Sequence, residues 1–190
     1  MDLVEIAPPA FDVDISLAYA TDSNFTGRPV YARAECFLHP AAAEALARAC
    51  ETAAVLGYRI RLYDALRPSE AQWVLWNHTP DPDFLADPRR GSPHSRGVAV
   101  DLTLLDSDGN ALDMGTGFDA FTPLSHHGSR GVGPTAQRNR LLLMGLMTDA
   151  GWDFYRNEWW HYQLFNARDY PLISDGDLPR PMMEQPVHGA

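Results

Sequence analysis

From Gly97 to Leu104 the side chains alternate, with Val98, Val100, Leu102 and Leu104 on one face and Ala99, Asp101 and Thr103 on the other. That is the period of a half-buried β-strand, and it points Asp101 away from the apolar face. Tyr58 to Asp64 alternates in the same way and predicts a strand that delivers Asp64 and Arg67 to its C-terminal end. Trp159 to Phe165, dense in aromatics, predicts a third strand, with Trp159, His161, Gln163 and Phe165 on one side and Trp160, Tyr162 and Leu164 on the other. Helical spacing occurs elsewhere. Pro40 opens an Ala-rich helix to about Leu56, stopped by Gly57, whose Leu46, Ala49, Cys50 and Ala53 form a core stripe. Pro68, Ser69 and Glu70 open a helix carrying Trp73 and Trp76, and a last helix runs from about Thr135 to Ala150, burying Leu143, Leu146, Met147 and Ala150 before Gly151.

Between these elements, Thr21 to Gly27 reads as a turn, Thr79 to Gly91 as a Pro- and Asp-rich loop, and Asp106 to Asn110 as a hairpin turn. The Gly-rich stretch from Met114 to Gly133 is too long for a simple connection and is a candidate active-site loop. Beyond Asp169 the chain, with Pro171, Pro179, Pro181 and Pro186, loses periodicity, and a poorly structured tail is expected over about 170–190. Interspersed helices and strands with a short turn predict an α+β fold: one domain over 1–190, built on a central antiparallel sheet flanked by helices.

Composition narrows the class. A chain of 190 residues with 45% hydrophobic content suits one domain with a sizeable core. A formal charge of −10, without any Lys/Arg-rich run, argues against nucleic acid as a partner, because such affinity depends on basic residues displacing counterions. The acidic first residues lack a continuous apolar segment, and the longest apolar run, Leu141 to Met147, is far short of the roughly 20 residues a bilayer requires, so no membrane association is expected. Cys36 and Cys50 show neither metal-type spacing nor a disulfide framework, which points to a reducing cytoplasm. The sequence carries no indication of oligomeric state.

The candidate chemistry lies in Ser92 to Asp101 and Glu158 to His161. His94, Asp101 and His161 make the three-ligand set of a catalytic zinc, with Glu158 as the carboxylate beside its open position. Imidazole and carboxylate together also admit other divalent metals. His94 is an odd number of residues before Asp101 and so belongs in the loop ahead of the strand, where Pro93 and Gly97 let the chain fold back. Glu158 belongs in the turn after Asn157, at the strand's mouth. His126 and His127 are a rival pair of ligands, but adjacent imidazoles seldom converge on one ion, so they are assigned to the loop or to a supporting place behind the ligands. Neither an H-E-x-x-H nor a G-x-S-x-G motif is present.

Ser92-x-His94-x-x-Gly97-x-Ala99-x-Asp101, Glu158-x-x-His161 and Tyr63-Asp64-Ala65-Leu66-Arg67-Pro68 resemble the D-alanyl-D-alanine dipeptidases, the VanX-like zinc enzymes. The similarity extends from Tyr19, Ala20 and Asn24 to Gly27, through Asp101 to Leu104 and Met114, Gly115, Phe118 and Asp119, to Gln137, Asn139 and Arg140, nearly the whole chain. The resemblance implies the fold shared with D,D-carboxypeptidases and the Hedgehog signalling domain. It also implies zinc-dependent cleavage of D-alanyl-D-alanine into two D-alanine, with Glu158 as general base, Arg67 stabilising the oxyanion and Asp64 orienting Arg67. Asp119 matches a substrate-holding position of that family, and Ser92, Tyr19 and Asn24 are expected to line the substrate. A zinc D,D- or L,D-carboxypeptidase acting on longer wall peptides is the alternative, and a non-enzymatic zinc-binding protein of the same fold a weaker one.

Overall fold

The computed structural model describes residues 2–184. Five strands form the main sheet: β2 (Val13–Ile15), β4 (Arg59–Asp64), β5 (Ala99–Leu105), β7 (His161–Leu164) and β6 (Trp152–Phe154), side by side in that order. Two short strands, β1 (Val4–Glu5) and β3 (Phe37–Leu38), pair separately. The sheet is mixed, not wholly antiparallel as expected. Its β2–β4 pair is parallel, because the chain between them makes a long crossover through α1 (Pro40–Val55) instead of a tight turn.

The predicted helices form for the predicted reasons. In α1, Pro40 follows a His39 cap whose Nδ1 accepts the Ala41 N–H, and Gly57 at φ +79° takes the chain out after the last turn. Its stripe of Leu46, Ala49, Cys50 and Ala53 packs with Leu143 and Met147 of α3 (Pro134–Asp149) against Val98, Val100, Leu102 and Leu104. The helix α2 (Ser69–His78) follows the predicted Pro68. Among the described residues no helix is long and apolar enough to cross a membrane, and Cys36 and Cys50 are buried free thiols.

Three further expectations change. First, β5 is buried on both faces, Asp101 and Thr103 included, because the 114–133 loop covers the side that the sequence pattern leaves polar. There Phe118 stacks on Tyr63 with ring centroids 4.9 Å apart. Second, the clean alternation of β4 breaks. Leu62 faces Leu102, yet Asp64 faces Asp101, so one extra residue has entered the strand. This bulge turns Asp64 from the core face of Ile60 and Leu62 to the face of Asp101. Third, the segment after Asp169 packs instead of fraying as far as it is described: Ile173, Leu178 and Met182 are buried with Tyr19, Tyr31, Leu66 and Leu75. It also ties down the site, since Ile173 N–H donates to Ser95 O at 2.7 Å while Ile173 O accepts from Ser69 N–H and Oγ. Pro186 lies outside the described residues.

Candidate metal centre and active site

Two adjacent central strands place the ligands. Asp101 on β5 lies directly opposite His161 on β7, and directly opposed residues project to one face of a sheet. His94 reaches the same point from a single 3-10 turn, His94 to Arg96, which Gly97 closes at φ +67°, a conformation that favours glycine. A side chain at Gly97 would also press on the His39 backbone N at 3.1 Å.

The three donor groups converge. His94 Nε2 is 3.0 Å from His161 Nδ1, and Asp101 Oδ1 is 3.3 Å and 3.1 Å from the two. Donors about 2.0–2.1 Å from a tetrahedral ion lie roughly 3.3 Å from one another, so the spacing fits a metal ion. The proton inventory fits as well. His94 Nδ1 bonds Ala65 O at 2.8 Å and His161 Nε2 bonds Gln163 Oε1 at 3.1 Å, which leaves a bare lone pair on each inner nitrogen. Burial opposes charge on Asp101, but positive charge on the imidazoles of His94 and His161 more than reverses this and holds its carboxyl well below the usual carboxylate range; with both imidazoles neutral, a metal cation would supply that charge instead. His94, Asp101 and His161 can therefore hold a metal ion.

Glu158 comes directly after a turn at Arg156 and Asn157, not within a turn that follows Asn157, and its Oε2 lies 3.8 Å from His161 Nδ1. Burial, and then the charges of Asp101 and Asp119, push its carboxyl well above the usual range. On the opposite wall Arg67 is almost fully buried. Its Nε donates to Asp64 Oδ2 at 2.8 Å, Nη1 to Gln72 Oε1 at 2.9 Å and Nη2 to Asp101 Oδ2 at 3.4 Å, and its guanidinium lies 4.9 Å from the Tyr19 ring centroid. Tyr31 Oη donates to the other oxygen of Asp64 at 2.8 Å.

These groups open on a cavity of about 610 Å³ lined by Tyr19, Arg67, Ser92, Asp119, Glu158 and the ligands. Tyr19 Oη donates to Asp119 Oδ2 at 3.0 Å. Burial, and then the charge of Asp101, raise the Asp119 carboxyl well above its ordinary value. Ser92 lines the cavity and its Oγ accepts the His94 N–H at 3.2 Å. Asn24 does not line it. Its Nδ2 donates to Thr21 O and Arg28 O and its Oδ1 accepts from Thr26, so it organises its own turn. Gln72 and Tyr31, absent from the sequence reading, carry no motif that marks them; Gln163 was visible as the residue sharing a face with His161.

His126 and His127 stay in the loop, as expected. His127 packs edge-on against Phe154 and bonds the Glu158 backbone, and burial pushes its pKa down from 6.5 to about 4. Between those values the unfolded chain binds the proton that the folded one refuses, so His127 removes stability as pH falls through that window. Urea midpoints at pH 7 and pH 5, with chelator present, should fall less in His127→Phe than in the parent. Equal falls would show that His127 is not the cause.

The family profile of the D-ala-D-ala dipeptidases, peptidase family M15, matches residues 1–187. The D-alanyl-D-alanine dipeptidase of Escherichia coli (strain K12) is 47% identical over 174 residues, 92% of this chain and 90% of its own. Those of Streptomyces coelicolor and Enterococcus faecalis are 38% and 36% identical, over 77% and 80% of this chain and 83% and 86% of theirs. On the strength of the full-length match and these relatives, this chain belongs to the D-ala-D-ala dipeptidase family.

Proposed function

We infer that this protein hydrolyses D-alanyl-D-alanine to two D-alanine, with one zinc ion held by His94, Asp101 and His161. The observation that carries this reading is the charge arrangement in the cavity. Asp64 is matched by Arg67, which leaves Asp101, Asp119 and Glu158 as three buried carboxylates, with the charge of Asp101 raising the cost of ionising the other two. A dication and one substrate ammonium would offset these three carboxylates, and the dipeptide's own carboxylate would fall to cationic side chains that line the same cavity, Arg90 and Arg168 among them. Zinc bound there would polarise the scissile carbonyl and lower the pKa of its water toward about 7.

Glu158 takes a proton from the attacking water and returns it to the leaving amine, and its raised affinity for protons suits both directions. Arg67 donates to the carbonyl oxygen as negative charge builds there. Its 3.4 Å contact with Asp101 is its longest and the N–H most easily redirected, while Asp64 and Gln72 keep the guanidinium plane fixed. Asp119, with Tyr19 and Ser92, receives the substrate ammonium, which needs an anionic partner once it leaves water. The two buried free thiols accord with a cytoplasmic location.

The cavity is roomy for a dipeptide, which keeps the carboxypeptidase reading in play. Acetylation separates the two. An N-acetyl group removes the ammonium charge and adds bulk at Asp119, so D-alanyl-D-alanine should be cleaved and its N-acetyl derivative refused. Efficient cleavage of the acetylated dipeptide would move the reading to a carboxypeptidase.

A further inference from the structure

Arg140 is a buried cation with no part in the chemistry above. It projects from α3 and is only 2% exposed. Its Nε donates to Met114 O at 2.7 Å, its Nη1 to Leu124 O at 2.9 Å and His126 O at 3.1 Å, and its Nη2 to Thr116 Oγ1 at 3.4 Å. All four acceptors are uncharged and all belong to the 114–133 loop, two before Asp119 in the chain and two after it. A guanidinium taken out of water without a bonded anion is expensive to place. What it offers in return is several donors in one rigid plane, able to fix separate carbonyls of an irregular backbone at set positions.

The same loop is braced from within. Thr116 Oγ1 lies 3.0 Å from Ser125 Oγ, which donates to Ala120 O at 2.6 Å, the residue next to Asp119. The Trp159 indole N–H donates to Thr116 Oγ1 at 2.9 Å. Asp119 itself sits at φ +56°, a left-handed conformation uncommon outside glycine that persists only where its surroundings over-determine it.

We propose that Arg140 is a positioning residue for substrate recognition: by spanning both limbs of the 114–133 loop, it holds Asp119 in the conformation that presents its carboxylate to the substrate ammonium. This rests on the reading of Asp119 as the ammonium anchor. Arg140 bonds neither the three metal ligands nor Glu158; the loop does touch the segment beside Glu158, through Trp159 to Thr116 and Ser125, but β7 is held in addition by its own ladder to β5. The effect therefore falls on KM more than on kcat.

The test uses zinc-loaded parent, Arg140→Lys, Asp119→Asn and the double variant, assayed on D-alanyl-D-alanine alongside metal content and thermal midpoint. Lysine keeps the charge but cannot reach both limbs at once. Arg140→Lys should raise KM about tenfold or more with kcat within about threefold, and the double variant should be no worse than Asp119→Asn, since residues acting as one unit are not additive. A merely structural role lowers the thermal midpoint and leaves KM unchanged; that result, or additive effects in the double variant, overturns the proposal. Should Arg140→Lys not fold, Thr116→Ala replaces it, with a smaller rise in KM expected and an unchanged KM overturning the clamp. A raised KM in Asp119→Asn with parental KM in the Arg140 variant defeats the clamp alone. Parental KM in Asp119→Asn defeats the ammonium anchor and the clamp with it.

Discussion

A Glu158→Gln variant should fold, retain its metal and turn over D-alanyl-D-alanine at least about 10²-fold more slowly than the parent, the loss expected when a general base is removed. The shape of the side chain is preserved, so the deficit belongs to proton transfer and should fall on kcat. Stability should move the other way. Glu158 is buried among Asp101 and Asp119, whose charges oppose its own, and a neutral amide relieves that repulsion. The metal-free variant should therefore melt no lower than the metal-free parent. Turnover, metal content and thermal midpoint, measured together, decide the matter. Near-normal turnover with metal bound would mean that another group is the base.

Removing the metal should abolish hydrolysis altogether, and zinc should restore it. Replacement of one ligand, in His161→Ala, should leave a protein that no longer holds stoichiometric zinc. The expectation follows from the convergence of three acceptors about 3 Å apart with their protons on the outer nitrogens, an arrangement that stores repulsion until a cation enters it. Binding that favours the folded chain also stabilises it, so chelation should lower the thermal midpoint of the parent and barely change that of His161→Ala. Full activity in rigorously metal-free protein would end the mechanism, and stoichiometric zinc in His161→Ala would end the ligand assignment.

The candidate metal site was legible because it is written in parity. Asp101 stands on the polar side of an alternating strand, His161 on one side of another, and the ladder sets them opposite each other. Pro93 and Gly97 announced the fold-back that carries His94. What the sequence hides is what tertiary packing decides. Nothing in the regular run from Tyr58 to Asp64 discloses a bulge, yet the bulge is why Asp64 reaches Arg67. Tyr31 and Gln72 complete that cluster by long-range contact, outside any local period. Parallel pairing of β2 depends on where α1 returns the chain, and the segment after Asp169 orders because Ile173, Leu178 and Met182 find partners far away in sequence. Asn24 shows the converse: it lies inside a recognisable block, yet its side chain serves its own turn.

The strap formed by Ile173 gives the site a place in time. A polypeptide emerges from the ribosome N-terminus first. His94 and Asp101 are therefore translated well before His161, the residue opposite Asp101 in the ladder, and Ile173, which bonds Ser95 beside His94, comes later still. A nascent chain halted before His161 has two of the three ligands, and one halted before Ile173 has all three but lacks the bond that secures the first. The candidate metal site is thus secured only once this late part of the chain has been made, and shortening the protein to before Ile173 would loosen the turn that carries His94 while leaving the five strands of the sheet intact.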